Sequence, residues 1–478
     1  MQCRDAIYIG GSWRRPAGRS RLAVTNPATD EKFAEVPCGT AEDVACAVDA
    51  ARAASDKWRA VPVAERIAAL TRIKAGIMAR ADEIATTISA EMGAPIGFSR
   101  AAQVGLALRD LAATIDAASA LEDERVGSSL VSREPIGVVA AITPWNFPLH
   151  QLIAKIAPAL AAGCAVIVKP SELTPLSAFA LAEIVDAADL PAGVFNLVPG
   201  AAETGAALAG HPGIDMVSFT GSTRAGRAIA GLAARGLKKV ALELGGKSAN
   251  IVLDDADFAT AIPAAVAQCV VNSGQVCAAL SRLLVPTERV REVEALAVAA
   301  AEQWTLGDPA EPATRLGPLA SRAQQARVQT YIDMAAKEGA RILTGGSAQP
   351  EAMPIGAYVA PTVLGSVHNA MKVGREEVFG PVLSIMSYDG EDDAVTKAND
   401  SDYGLSGGVW SSEPRRALAL SRRLRTGHVV VNGAMLDVEA PFGGVKMSGY
   451  GRECGRYGIE EFVSLKSISG IRVAELVE

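Results

Sequence analysis

The chain of 478 residues is short of cysteine, of histidine and of positive charge. Its seven cysteines, Cys3, Cys38, Cys46, Cys164, Cys269, Cys277 and Cys454, are odd in number and form no C-x-x-C pair. A disulfide framework and a zinc knuckle are therefore not expected, and no metal site is. Free thiols suit a reducing cytosol. Lys and Arg total 46 against 53 Asp and Glu, a net charge of −7. Nothing electrostatic draws such a chain to nucleic acid or to an anionic membrane. The basic pairs Arg14-Arg15 and Lys238-Lys239 read as solvated faces. The longest apolar run, near Ile156–Val168, contains Pro158 and Gly163 and falls short of the ~20 residues that a membrane span needs. The opening Met1-Gln2-Cys3-Arg4-Asp5 lacks the apolar core of a signal peptide. No repeat of about 20–50 residues occurs. The expectation is a cytoplasmic globular protein, and at 49% apolar and 21% charged residues the composition is ordinary for one.

What is present changes along the chain. Ala41–Ala60 and Val63–Met92 carry apolar residues at helical spacing, with Glu42 and Asp43 loading a first turn. From Gly137 short apolar runs alternate with helical stretches. The spacing predicts strands at Gly137–Ile142, Ala165–Val168, Gly193–Val198 and Met216–Phe219, with helices at Leu149–Ala162, Leu176–Ala188, Glu203–Ala209 and Thr223–Ala234. Short buried strands alternating with helices mean a parallel sheet, whose ligands bind at the carboxyl ends of its strands. The loops at Thr143–Pro148, Lys169–Glu172 and Thr220–Thr223 are the candidates. A second alternating stretch, with strands at Asn250–Leu253, Arg282–Val285, Val382–Ser387 and His428–Asn432 and a helix at Arg322–Glu338, reads as a further α/β unit. Glu461–Arg472 alternates like an edge strand, which invites pairing with another subunit.

Four local patterns carry possible chemistry. Gly221-Ser-Thr-Arg-Ala-Gly226 opens a helix and could hold a phosphate, yet its spacing is neither G-x-G-x-x-G nor a P-loop, and a tight turn is the commoner meaning. Cys277, in Asn272-Ser-Gly-Gln-Val-Cys277, sits in a small polar stretch where a thiol could be exposed and ionisable, whereas the other six cysteines suit buried positions. Glu243 stands between Leu242 and Leu244 on an apolar run: either an edge or ion-paired residue, or a carboxylate with raised pKa fit to be a general base. The Gly245-Gly246 pair after it allows close approach. In Thr143-Pro-Trp-Asn-Phe-Pro148, Asn146 offers an amide that could serve an oxyanion.

Taken together, these residues give the chain a resemblance to the NAD(P)-dependent aldehyde dehydrogenase superfamily. The resemblance covers nearly the whole chain. It rests on Pro144-Trp-Asn-Phe-Pro148, Lys169-Pro-Ser-Glu172, Phe219-Thr-Gly-Ser222, Leu242-Glu-Leu-Gly-Gly-Lys247, Gly274-Gln-Val-Cys277, Glu376-Glu-Val-Phe-Gly-Pro381 and Pro441-Phe-Gly-Gly444, in that order. It implies that Cys277 is the nucleophile, that Asn146 and the Cys277 N–H hold the oxyanion, and that Glu243 activates the hydrolytic water. Lys155 and Glu453 would relay protons, with a surface Lys and a helix-end Glu as the plain alternative. For the cofactor it implies Lys169 and Glu172 at the adenosine ribose, Gly221 and Ser222 at the pyrophosphate, Glu377 at the nicotinamide ribose, and Ile142, Trp145 and Phe379 as packing. Glu172 favours NAD over NADP, since a carboxylate suits a 2′-hydroxyl and repels a 2′-phosphate. One departure is Pro199-Gly-Ala-Ala-Glu-Thr-Gly205, poorer in Gly and one residue shorter than the family pattern.

The resemblance also implies a substrate tunnel of Phe147, Ala154, Val271, Ala434–Glu439 and Phe442. Small Ala154 and Val271 imply a wide mouth, and the lack of an evident Arg pair aimed at a carboxylate-bearing semialdehyde favours an apolar or aromatic aldehyde, while Asp437 and Glu439 could attract a cationic aminoaldehyde. A CoA-acylating enzyme is the near rival, opposed by Glu243. A thiol hydrolase would need a base, and His150, His211, His368 and His428 have no recognisable context. A non-catalytic role conflicts with the intact Cys277, Glu243 and Asn146. The expected fold is α/β. A Rossmann-like cofactor domain would span 1–117 and 136–245, and a catalytic domain 246–440. A small β oligomerisation element at 118–135 and 441–478 would complete a homodimer or homotetramer.

Overall fold

The computed structural model describes residues 2–119 and 121–470. Its largest sheet has eight strands in the order Gly449–Tyr450, Lys239–Glu243, Met216–Thr220, Val138–Ile142, Ala165–Lys169, Phe195–Leu197, Ile7–Ile9, Ser12–Arg14. The run from Lys239–Glu243 to Phe195–Leu197 is parallel throughout, and the outer strands are antiparallel. Alternate residues of these strands enter two separate cores. Val139, Ala141, Val166 and Val168 join one, and Val138, Ala140, Ala165 and Ile167 the other. A strand has a side-chain period of 2, so helices on both faces demand an unbroken apolar run.

A second sheet of seven strands runs Arg341–Thr344, Thr362–Gly365, Val382–Tyr388, Arg282–Pro286, Ala249–Val252, Ser406–Trp410, His428–Val431, parallel except for its first member. The connector Leu244–Ser248 passes from the first sheet directly into the second. A third sheet pairs Val463–Ser469 with Ser129–Pro135, and Glu124–Val126 lies beyond it. Val463–Ser469 is an outer strand there and carries exposed Leu465 and Ile468. The residues expected to extend this strand past Gly470 lie outside the described residues.

The expected helices form with small changes. Ala41–Arg59 opens on a reciprocal cap, with Thr40 Oγ1 accepting from the Asp43 N–H while Asp43 accepts from the Thr40 N–H at 2.8 Å. The single helix expected over Val63–Met92 is two, Val63–Ala79 and Ala81–Met92. The chain turns at Arg80, whose side chain pairs with Glu83 and Glu183. The periodicity runs through that break, because both helices bury the same stripe. Four early strands, Ile7–Ile9, Ser12–Arg14, Arg21–Thr25 and Lys32–Pro37, were not anticipated. They are short, and three of them alternate irregularly between exposed and buried positions. Lys238 and Lys239 are half-buried rather than a solvated face: Lys238 Nζ donates to the carbonyls of His211 and Ile214, and Lys239 pairs with Glu461.

Candidate active site

A row of side chains crosses the carboxyl ends of the first sheet. Lys169 pairs in register with Ile142, Ile142 with Phe219, and Thr220 with Glu243. This is where a parallel sheet presents ligands. Immediately beyond the row lies a cleft of about 450 Å³ lined by Trp145, Asn146, Gly221, Ser222, Cys277, Glu377 and Phe379 among others. Seven of the expected site residues therefore share one cavity wall.

The Cys277 loop is strongly determined. Asn272, Ser273 and Gly274 are consecutive left-handed residues, with φ of 56°, 56° and 71°. Such a conformation is strained for non-glycine residues and persists only when neighbours impose it. Here Asn272 Nδ2 donates to the Asn146 carbonyl at 3.1 Å, Gln275 Nε2 to the Asn272 carbonyl at 3.0 Å, and Ser273 Oγ to the Gly317 carbonyl at 2.8 Å. A Cβ on Gly274 would lie 2.1 Å from the Gly380 backbone, so no larger residue fits. The Gly-Gly pair after Glu243 is explained in the same way. A Cβ on Gly245 would strike Glu377 at 2.3 Å, and one on Gly246 would come within 2.8 Å of the Cys277 carbonyl.

Asn146 is held across the cleft. Its Nδ2 donates to the Gln275 carbonyl at 3.0 Å, and its own carbonyl accepts from Gln103 Nε2 at 2.9 Å. One N–H of the amide is thereby used and the second remains for an oxyanion. Trp145 and Phe379 meet edge to face at 5.3 Å.

The thiol itself corrects the expectation of an exposed, ionisable cysteine. Cys277 is half-buried and its pKa is pushed up to about 12, first by burial and then by the charges of Glu377, Glu243 and Glu453. Burial and these three carboxylates all favour the neutral thiol. Nor are all the other cysteines buried: Cys164, Cys269 and Cys454 are, but Cys38 and Cys46 are only half so.

Glu243 is almost wholly buried, and neither carboxylate oxygen has a hydrogen-bond partner among the described residues. Burial raises its pKa well above the usual range, helped by Glu453 and opposed by Lys155 and Arg452. The edge or ion-paired alternative fails, since the strand is flanked on both sides and, among the described residues, no cation pairs with the carboxylate. Beside it, the buried Lys155 Nζ lies 2.5 Å from Glu453 Oε1, so these two are neither a surface Lys nor a loose helix-end Glu. The backbone of Glu453 pairs with that of Phe442, at 2.9 and 2.7 Å.

The adenosine side is less enclosed. Lys169 is buried and donates to the carbonyls of Pro170 and Gly200, with Glu172 Oε2 3.7 Å away. Burial lowers the Lys169 pKa. Glu172 is exposed. Ser222 Oγ accepts from the Ala225 N–H and caps the helix Thr223–Ala234, while Gly226 lets Leu244 pack on that helix.

Residues 13–468 match the model of the aldehyde dehydrogenase family. The chain belongs to the aldehyde dehydrogenase family. It is 48% identical over 472 residues to a 3-succinoylsemialdehyde-pyridine dehydrogenase of Pseudomonas sp., covering 97% of this chain and 98% of that protein. It is 43% identical to a geranial dehydrogenase of Castellaniella defragrans, with 97% and 98% covered. Among solved structures, aldehyde dehydrogenase C of Pseudomonas syringae, a cysteine-to-alanine mutant complexed with NAD+ and octanal, superposes at a TM-score of 0.97. The identity is 46%, over 99% of this chain and 98% of that one. A Mycobacterium tuberculosis aldehyde dehydrogenase complexed with NAD+ follows at 0.96 and 42%, over 98% and 99%.

Membership of this family makes the remaining positions informative. Phe147 is half-buried and meets Phe98 edge to face at 6.1 Å, while Val271 is half-buried and Phe442 buried. Asp437 and Glu439 are exposed. Sequence reasoning passed over His150, which is buried with Asp110 one helix away. Only the helical spacing of Phe147, His150 and Ala154 hinted at it, and that spacing equally fits a core helix. Gln324 and Arg327 also line the cleft without having been anticipated. They lie on an amphipathic helix, where exposed polar residues are the rule. Among the described residues no helix is long and apolar enough to cross a membrane.

Proposed function

We propose that this protein oxidises an aldehyde to the carboxylic acid with NAD+ by covalent cysteine catalysis. The observation that carries the reading is the convergence of Cys277, Asn146 and Glu377 on one cleft, with buried Glu243 at the adjoining strand end. The residues present fit the cofactor. Gly221 and the capped helix start at Ser222 suit a pyrophosphate, and the Glu377 carboxylate, facing a glycine with no Cβ, suits ribose hydroxyls. When bound, NAD+ supplies the hydride acceptor.

The chain's own residues do the rest. Cys277 gives up its proton to the Glu243 carboxylate, which passes it on toward the Lys155–Glu453 pair, and the sulfur attacks the carbonyl carbon. The oxyanion of the thiohemiacetal receives the free Asn146 N–H and the Cys277 N–H, each such donor being worth about 3–4 kcal/mol. Loss of hydride leaves a thioester on Cys277. Glu243 takes a proton from water, which attacks the thioester and releases the acid. A carboxylate with a raised pKa can accept that proton near neutrality, and the Lys155–Glu453 pair beside it offers the way out. The edge-to-face Trp145 and Phe379 give the cleft an apolar wall. Exposed Glu172 supports NAD over NADP.

An apolar or aromatic aldehyde is the substrate reading. It is supported by small Ala154 and Val271, and by the octanal, geranial and pyridine-semialdehyde names of the relatives. The unpaired edge of Val463–Ser469 supports a homodimer or homotetramer. The divisions 1–117 with 136–245, 246–440, and 118–135 with 441–478 remain the proposed domains, with Gly449–Tyr450 reaching back to the first sheet. A cytoplasmic setting accords with free thiols.

The test is NADH formation with a panel of aldehydes, run with NAD+ or NADP+ and with or without CoA. Turnover without CoA that Cys277→Ala abolishes is expected. Full activity in Cys277→Ser would sink the covalent mechanism, and a higher kcat/KM with NADP+ would overturn the cofactor assignment.

A further inference from the structure

Gln103 does not line the cleft, yet its side chain bonds to the residue that would hold the oxyanion. It lies on Ser99–Val104, a π-helical turn that runs into the helix Gly105–Ala118, with the Gly105 N–H meeting the Arg100 carbonyl five residues back. Such wide turns are rare and recur at functional sites. Gln103 is 0% exposed, in a stripe otherwise filled by Val104, Ala107 and Leu111. Its Nε2 donates to the Asn146 backbone carbonyl at 2.9 Å. The other hydrogen on that nitrogen faces the Met92 sulfur, 4.0 Å away, and Oε1 has no partner among the described residues.

This bond anchors a buried ring. Asn272 Nδ2 donates to the Asn146 carbonyl at 3.1 Å and to the Gln275 carbonyl at 3.3 Å. Asn146 Nδ2 donates to the same Gln275 carbonyl at 3.0 Å. The loop that carries the oxyanion amide is therefore tied to the loop that carries the sulfur. Gln103 alone comes from outside both loops and fixes the pair to the helical layer. Stability does not account for it. Asn272 satisfies the Asn146 carbonyl without help, whereas the orphaned Oε1 bears the cost of a buried unpaired acceptor, which Gln103→Leu would remove. Resting on the aldehyde dehydrogenase reading, we propose that Gln103 is a positioning residue. Through the Asn146 carbonyl it holds the Asn146 amide in place against the Cys277 sulfur, where the oxyanion forms. A shift of about 1 Å in such a group costs up to about a hundredfold in rate.

The experiment compares the wild type with Gln103→Leu and Gln103→Met, alone and with Asn146→Ala, in the full-length enzyme. It reads kcat and kcat/KM for the two best aldehydes of the panel above, the NAD+ dissociation constant and the thermal midpoint. Single-turnover NADH formation with enzyme in excess makes the slow Asn146→Ala background measurable. Both variants should lower kcat and kcat/KM together by about tenfold or more, by the same factor for both aldehydes. NAD+ affinity should stay as it is, and the thermal midpoint should hold or rise. With Asn146→Ala present, the same changes should cost less than about twofold, because the group they position is gone. Wild-type rates in both variants, or an equal loss in the Asn146→Ala background, would overturn the proposal. So would a fall in thermal midpoint or NAD+ affinity that tracks the rate, the mark of a merely structural residue. If the wild type turns over and the variants match it, the role of Gln103 fails alone. If no aldehyde turns over in the wild type, the dehydrogenase reading fails and this proposal falls with it.

Discussion

The state of the Cys277 thiol can be tested before any substrate is known. With a pKa pushed up to about 12, only about one part in ten thousand of the thiol is ionised at pH 8, against about one in ten for a thiol at the reference value of 9.0. Alkylating reagents attack thiolate, so the difference is a slowing of about a thousandfold. Burial is the largest cause and Glu377 the first of the charges. Glu377→Gln removes that charge and leaves the burial. It should therefore speed alkylation several-fold without restoring an ordinary cysteine. The assay is iodoacetamide labelling of the cofactor-free protein between pH 7 and pH 10, followed by mass spectrometry of the peptide that carries Cys277. The rate should climb about tenfold per pH unit over the whole range. A plateau below pH 9, or a slower Glu377→Gln, would refute the argument. Either result would mean that a cation or a dipole outweighs burial at this sulfur.

Glu377 itself is pushed up to about 7 by burial, with the Gly246 N–H, Arg327 and Lys247 acting against the shift. If ribose hydroxyls prefer its ionised form, NAD+ affinity should fall as pH drops through 7, and Glu377→Gln should bind weakly with that pH dependence gone; calorimetry across pH 6–8 decides. Glu91, fully buried, is likewise raised to about 7 while accepting from Leu176 N, Ser177 N and Ser177 Oγ. Its folded pKa exceeds the reference 4.5, so the stability it contributes is complete below about pH 4.5 and is lost as pH rises through 7. Thermal unfolding should show that slope, and Glu91→Gln should flatten it. Gly274→Ala should reduce kcat by about a hundredfold or more with little change in NAD+ affinity, because the Gly380 backbone forces the Cys277 loop to move.

Much of this was legible in the residues. The parallel strands were, because a strand buried on both faces has to be apolar along its length, and Val138–Ile142 and Ala165–Val168 are. Glu243 and Asn146 stood out as polar residues among apolar neighbours, and Cys277 as a thiol in a small polar stretch. The early strands were hidden: Lys32–Pro37 mixes exposed and buried positions, and its pairing is with distant chain. The Arg80 break was hidden because the apolar stripe continues through it from one helix to the next. The raised pKa of Cys277 follows first from burial and then from the charges of three remote segments, neither of which local context can reveal.

The connector Leu244–Ser248 joins the base to the nucleophile mechanically. Glu243 ends a strand of one sheet, and three residues later Gly246 presses against the Cys277 carbonyl of the other, with no room even for a methyl group. The base and the sulfur are thus set against each other by a backbone contact that leaves no slack, and any side chain at position 246 would part them.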